Sequence, residues 1–206
     1  MRFLLAGLVC LLLFTVLSRQ VRQGRFTSID FDTTVKVQGW VAKMDIARFE
    51  GILEDIGVLA SPAFSTVATG VLTVWAFKKR RFAAFLIPVA FALMTLAEIY
   101  GKSVVHHPAP PFFMLKNPTT IFPTYHVWEE FSYPSGHAAR AMFLAILVFF
   151  LTKKRMWVGF ALGAYVGLIA LSRIYLGHHW ISDIIGGGLL GCAFGLLATK
   201  ETSNRR

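Results

Sequence analysis

The stretch MWVGFALGAYVGLIALSRIYLGHHWISDIIGGGLLGCAFGLLATK, residues 156–200, decides the fold. It holds two apolar runs, 156–172 and 181–199, joined by the short polar segment 173–180. Each run is close to the roughly 20 residues that a helix needs to cross a bilayer core. Gly159, Gly163 and Gly167 recur at every fourth position of the first run, as do Gly187, Gly191 and Gly195 in the second. In lipid, such stripes let helix backbones approach closely. The two runs are expected to pack as a pair that holds 173–180 rigidly.

Working outward, four more runs of this kind appear: 3–18, 56–77, 82–101 and 135–152. Six spans suit a chain of 206 residues that is 55% hydrophobic and only 16% charged, with a mean hydropathy of +0.59. A soluble domain carries about 25% charged residues, and a disordered chain few apolar ones. The length allows one domain, 1–206. The expected fold is therefore all-α, a polytopic bundle of six transmembrane helices.

The net charge of +10 suggests nucleic acid until its 21 Lys and Arg are located. They cluster between the apolar runs, at Lys78-Lys79-Arg80-Arg81, at Lys153-Lys154-Arg155, and in the tail with Lys200, Arg205 and Arg206. With six spans these clusters and Arg2 share one side, the cytoplasmic one by the positive-inside rule. No nucleic-acid partner is expected. The segments 19–55, 102–134 and 173–180 then lie outside. The first is long and of mixed charge, and its apolar residues suggest a helix on the membrane surface. Arg2 before an apolar run also suits a signal peptide, but no small-x-small cleavage site stands out before Ser18-Arg19, so a retained helix is expected. Cys10 and Cys192 both lie in apolar runs, which excludes a disulfide framework.

Polar residues cluster at the outer helix ends, where they are costly unless paired or used. Glu98 and Lys102 end the third span, Tyr133-Pro134-Ser135-Gly136-His137 opens the fourth, Ser172-Arg173 ends the fifth, and His179 and Asp183 open the sixth. In a bundle they converge at one depth: cations, a helix amino terminus, and histidines beside a carboxylate. That is the make-up of a phosphate site.

These residues carry a resemblance. Ser172-Arg173, five residues, His179, three residues, Asp183 is similar to the third signature of the type 2 phosphatidic acid phosphatase superfamily of membrane lipid phosphatases. Pro134-Ser135-Gly136-His137 resembles the second. Of the first, a Lys, six residues, then Arg-Pro, Lys102 and Pro110 fit, but Ala109 stands at the Arg position. The resemblance covers most of the chain from the second span onward, and 19–55 adds little to it.

The resemblance implies that His179 is the nucleophile, forming a phosphohistidine. Asp183, one turn on, would accept its Nδ1 proton, and His137 would serve as general acid, then base. Lys102, Arg173, Ser135 and Gly136 would bind the phosphate oxygens, the last two at the amino terminus of the fourth span. Each residue also has a plainer use: Ser135 and Asp183 as helix caps, Arg173 reaching to headgroups, Lys102 pairing with Glu98. An alanine cannot grip phosphate as an Arg does. Arg140, on the His137 face of its helix, is the expected main replacement, assisted by His107 or His106; the plainer use of Arg140 is a pairing with Glu98.

No cofactor and no metal are expected, because the adjacent pairs His106-His107 and His178-His179 lack metal-ligand spacing. Aromatic residues of the outer loop, from Phe112-Phe113 to Phe122, Tyr125, Trp128, Phe131 and Tyr133, suit either an interfacial anchor or a wall guiding a lipid chain. The expected partners are the bilayer and a lipid phosphate substrate. Relatives of this kind act on phosphatidate, phosphatidylglycerophosphate, undecaprenyl diphosphate, lipid A phosphates or sphingoid phosphates. Short inner loops point to a bacterial inner membrane, with the site facing the periplasm or cell exterior. A phosphotransferase using the same intermediate, and a weak lipid-phosphate-binding relative lacking the Arg, are the alternatives. The oligomeric state is not legible.

Overall fold

A computed structural model describes residues 2–43, 47–78, 82–116, 130–152 and 155–200. Among these residues the chain forms eight α-helices: α1 (Arg2–Arg22), α2 (Thr27–Ala42), α3 (Ala47–Val58), α4 (Pro62–Lys78), α5 (Leu86–Val105), α6 (Gly136–Leu151), α7 (Met156–Tyr175) and α8 (Ile181–Lys200). Lys79, Arg80, Arg81, Phe122, Tyr125, His126, Trp128, Lys153, Lys154, Arg205 and Arg206 lie outside the described residues.

Four helices, α1, α5, α7 and α8, are long and apolar enough to cross a membrane. The expected span 56–77 is not one straight helix. It breaks at Leu59–Ser61, and α3 and α4 meet there at 46°. Pro62 causes the break: it donates no hydrogen bond and disfavours helical geometry in the residue before it, yet suits the first position of a new helix. Ser61 caps that helix, its Oγ accepting the Phe64 N–H at 3.3 Å. The carbonyls freed by the break are reused, Leu59 O accepting from Tyr165 Oη at 2.8 Å and Ala60 O from Arg140 Nε at 2.9 Å. Helix α6 has 16 residues. At about 1.5 Å each they reach about 24 Å, short of a hydrocarbon core of about 30 Å.

The core joins Ile87 and Met94 of α5, Phe143 and Leu147 of α6, and Leu190 of α8. Helix α8 lies between α6 and α1, and its glycine stripe explains the fit. A Cβ on Gly187 or Gly191 would run into the carbonyl oxygen of Ser135 or Ala139, and one on Gly195 would come within 3.0 Å of Ile146 Cβ. The expected pairing of α8 with α7 does not hold. The α7 stripe is on the wrong face for it: Gly163 and Gly167 have no atom within 4 Å of a Cβ position, and Gly159 meets only Phe149. Helix α7 instead packs on α6, α3 and α2. Leu5, Leu12, Val67, Val71, Leu96, Trp157 and Phe160 stand exposed around the bundle, an apolar belt suited to lipid.

The stretch 19–55, expected to hold one surface helix, supplies the end of α1 and two more helices. Helix α2 crosses α7 and α8 and carries a polar stripe, Asp30, Thr34 and Gln38, one turn apart. Gln38 Nε2 donates to Met114 O at 2.7 Å and Tyr175 O at 2.9 Å, tying the loop after α5 to the end of α7.

Candidate active site

The carboxyl ends of α5 and α7 and the amino ends of α6 and α8 meet. Helix α5 starts four residues later than the expected run, after a 3-10 turn at Phe82–Phe85, and so extends to Val105. Lys102, expected at the end of the third span, is half-buried in the last turn of this helix. His106 ends the helix in the left-handed conformation, φ 51°, with its ring edge-on to Phe131 at 4.9 Å. The chain then pairs with 130–132: Ala109 N–H donates to Glu130 O at 3.1 Å, and Ser132 N–H to His107 O at 2.9 Å.

Ser135 is the cap of α6, its Oγ accepting the Ala138 N–H at 3.4 Å. Its own N–H donates to Asp183 O at 3.0 Å, which brings the amino end of α6 against the first turn of α8. Gly136 is required by what lies beside it. A Cβ there would strike the Glu98 carboxylate and come 2.7 Å from Arg140 Nη2. Those two side chains form a buried pair, Arg140 Nη1 donating to Glu98 Oε2 at 2.9 Å. Glu98 thus takes Arg140, the plainer of the two uses foreseen for it. His137, half-buried one residue on, feels the charges of Arg173 and Arg140.

Arg173 is 3% exposed at the end of α7. Its Nε donates to Ser172 Oγ at 3.1 Å, Nη1 to His178 Nδ1 at 3.0 Å and Nη2 to Glu54 Oε2 at 2.7 Å. A guanidinium has no acceptor, so His178 accepts through an unprotonated Nδ1. Gly57 makes room, since any Cβ there would overlap the Arg173 guanidinium. The backbone N–H groups of His178 and His179 both donate to Arg173 O, at 3.0 and 3.2 Å, folding the α7–α8 link over the helix end.

Asp183, fully buried, collects the other side chains. Its Oδ1 lies 2.9 Å from His107 Nδ1, and its Oδ2 accepts the Trp180 N–H at 2.9 Å. His179 Nδ1 is 3.4 Å from Oδ2 and, among the described residues, has no hydrogen-bond partner. His107 Nε2 faces Asp30 Oδ2 at 3.6 Å. Asp30 in turn accepts the Ser182 N–H and Oγ–H, each at 2.9 Å. Among the described residues no group of three or more His, Cys, Asp or Glu is arranged to hold a metal ion.

The structure thus joins His179, Asp183, His107 and the amino end of α6, with Arg173 beside them. Two carboxylates here were missed from the sequence, Asp30 and Glu54, both from 19–55. The stripe Asp30-Thr34-Gln38 marks one face of a helix, but helical spacing by itself assigns a polar face to water, so no local signal turned Asp30 or Glu54 inward.

The profile of the PAP2 superfamily matches residues 83–206. The chain is 28% identical over 199 residues to an undecaprenyl-diphosphatase of Sulfolobus acidocaldarius, covering 95% of this chain and 90% of that one. It is 38% identical over 71 residues to phosphatidylglycerophosphatase B of Bacillus subtilis, 31% of this chain and 35% of that one. Its fold superposes on the crystal structure of a transmembrane PAP2-type phosphatidylglycerolphosphate phosphatase from Bacillus subtilis with a TM-score of 0.73 at 22% identity, covering 94% of each chain. With the motif residues gathered at one end of an apolar helical bundle, the match over more than half of its length shows that this chain belongs to the PAP2 superfamily of membrane lipid phosphatases.

Proposed function

We propose that the chain hydrolyses a lipid phosphomonoester or diphosphate through a phosphohistidine on His179. The observation that carries this reading is the placement of His179, just before α8, and Asp183, in its first turn, against the amino end of α6 and beside Arg173. Nε2 of His179 attacks phosphorus as the bond to the lipid oxygen breaks. Asp183 holds the Nδ1 proton, and His137 protonates the leaving oxygen. Water, giving its proton to His137, then breaks the N–P bond and releases inorganic phosphate. Lys102, Arg173 and the N–H groups at Ser135 and Gly136 neutralise the phosphoryl oxygens, a helix amino terminus favouring an anion. No step calls for a metal.

The same topology supports six crossings, with α3–α4 as one bent span and the short α6 as another. The end of α4, the start of α5, the end of α6 and the start of α7 then lie opposite the site, and the cationic clusters fall between these ends in the sequence. By the positive-inside rule the site faces outward. An open apolar groove of about 460 Å³ runs beside the α3–α4 break, lined by Leu59, Phe64, Val67, Val71, Leu144 and Tyr165. It suits the chain of a lipid whose headgroup stays at the interface. Undecaprenyl diphosphate and phosphatidylglycerophosphate are the leading substrates, by analogy with the two relatives.

The test is phosphate release by detergent-purified protein from these two lipids and phosphatidate, in excess chelator. Release that persists in chelator is expected; release that stops and returns with a divalent cation would overturn the metal-independent scheme. Phosphate recovered on an added sugar or lipid acceptor instead of in water would make the protein a transferase.

Arg140, expected to stand in for the Arg missing at Ala109, already has partners. Its Nε and Nη1 are engaged by Ala60 O and Glu98, so its replacement is read in stability. Arg140→Ala leaves a buried carboxylate unpaired, a loss of about 3–5 kcal/mol. Arg140→Met with Glu98→Leu is expected to recover most of it. Thermal unfolding in detergent checks both. An Arg140→Ala protein of unchanged stability but strongly raised KM would restore Arg140 to the phosphate.

A further inference from the structure

Asp183 is shared. The shorter of its two histidine contacts goes to His107, at 2.9 Å, while His179 stands off at 3.4 Å. Behind His107 lies a second carboxylate, Asp30, delivered by a helix that precedes the matched family region and carries none of its motifs. All four side chains are buried. Asp30 is itself immobilised by the Ser182 N–H and hydroxyl, at the amino end of the helix that carries Asp183.

We propose that Asp30 and His107 form a second carboxylate–imidazole pair that positions Asp183, and through it the nucleophile. The inference rests on the proposed role of His179. A carboxylate has two oxygens and a rotatable side chain. With His107 bonded to Oδ1, the Asp183 carboxylate is turned so that Oδ2 faces His179 Nδ1, which has no other partner among the described residues. Asp30 stands to His107 as Asp183 stands to His179: it faces a ring nitrogen, at 3.6 Å, and orients the ring by its charge rather than by a hydrogen bond. His107 is also packed against the Tyr133 and Trp180 rings, at 6.5 Å each, so its ring has little freedom. Trp180 Nε1 donates to Pro108 O at 2.7 Å, closing the loop over the pair. Burial raises the Asp30 carboxyl above its ordinary range, opposed by the Ser182 hydrogen bonds and by His107, as expected of a carboxylate retained in a dry site. His107, expected from the sequence to touch phosphate, acts in this reading on Asp183.

Two other roles must be separated from this one. If Asp30 only caps α8, its loss is matched by loss of the Ser182 hydroxyl. If His107 is a phosphate ligand, its loss raises KM. The experiment compares Asp30→Asn, His107→Ala, His107→Asn, His107→Gln, Ser182→Ala and the double variant Asp30→Asn/His107→Ala. Each is read by kcat and KM for lipid phosphate, by calorimetric affinity for orthovanadate, which mimics the five-coordinate phosphoryl group, and by thermal unfolding.

Asp30→Asn keeps an oxygen for Ser182 but loses the charge, and His107→Ala loses the ring. Both are expected to lower kcat about tenfold with KM within about twofold, and to weaken vanadate similarly, the scale of a slightly misplaced reacting group. The amide nitrogen of Asn reaches where imidazole Nδ1 sits, that of Gln where Nε2 sits. His107→Asn is therefore expected to recover to within about threefold of the native chain, and His107→Gln is not. The double variant should be no worse than His107→Ala, because Asp30 acts through His107. Ser182→Ala should stay within about threefold.

Asp30→Asn and His107→Ala within twofold of the native chain in kcat and vanadate affinity would overturn the proposal. So would a rise in KM alone, multiplying losses in the double variant, or a Ser182→Ala loss equal to that of Asp30→Asn. Were the native chain to release no phosphate yet bind vanadate, the hydrolase reading would fall and the vanadate series alone would decide the positioning. Neither turnover nor vanadate binding would overturn both.

Discussion

Replacing His179 by alanine is expected to abolish phosphate release, by about 10⁴-fold or more, while the protein still folds. The size follows from the removal of the nucleophile itself, after which only binding and electrostatic stabilisation remain. Folding should survive because the contact that ties this residue to the bundle is its backbone N–H on Arg173 O, which an alanine keeps. Substrate labelled with phosphorus-32 gives the complementary reading. The native chain should trap label that is stable to alkali and lost in acid, as a phosphoramidate is, and His179→Ala should trap none. Release retained by the variant would assign the reaction to another nucleophile. Label trapped in an acid-stable form would also sink the phosphohistidine.

The second large effect is expected at Arg173. Its removal takes away the planar cation nearest the histidines, and losing one such preorganised donor costs about 10²–10³ in turnover. It also leaves Glu54 buried without its partner, at about 3–5 kcal/mol of stability. The two losses separate. Glu54→Gln in the Arg173→Ala background is expected to restore much of the stability, because a neutral amide replaces the stranded charge, and none of the activity. Arg173→Lys should keep part of the stability but little of the turnover, since an ammonium cannot reproduce a fork that reaches Ser172 Oγ, His178 Nδ1 and Glu54 together. Unfolding temperature and kcat/KM, measured on the same preparations, decide it. Turnover that returns with Glu54→Gln would make Arg173 a structural residue.

Much of this architecture was legible because its signals are local. A run such as 156–172 is apolar over its whole length, and the bilayer admits little besides a helix there. The residues of each motif sit on single helix ends, so their spacing alone places them: His179 and Asp183 one turn apart, Ser135 at a helix start. The glycine stripes illustrate the limit. Both read identically along the chain, yet Gly187, Gly191 and Gly195 receive the backbone of α6 while Gly163 and Gly167 face open space. A stripe says that a backbone can approach; which helix does so depends on packing around the whole bundle.

By itself, then, the sequence determined a helical membrane chain and a set of motif residues, His137, Arg173, His179 and Asp183 among them, expected to gather where helix ends meet. The tertiary structure decided the partners. It gave Arg140 to Glu98, Arg173 to Glu54, and His107 to Asp183 and Asp30, pairs between 42 and 119 residues apart in the chain for the first two and 76 for His107 with Asp183. A buried charge must find a partner wherever the fold brings one within reach, because leaving it alone in a low-dielectric interior costs more than any local preference. Helix periodicity carries no record of such distant pairings, which is why Asp30 and Glu54 became visible only when α2 and α3 closed over the ends of the bundle.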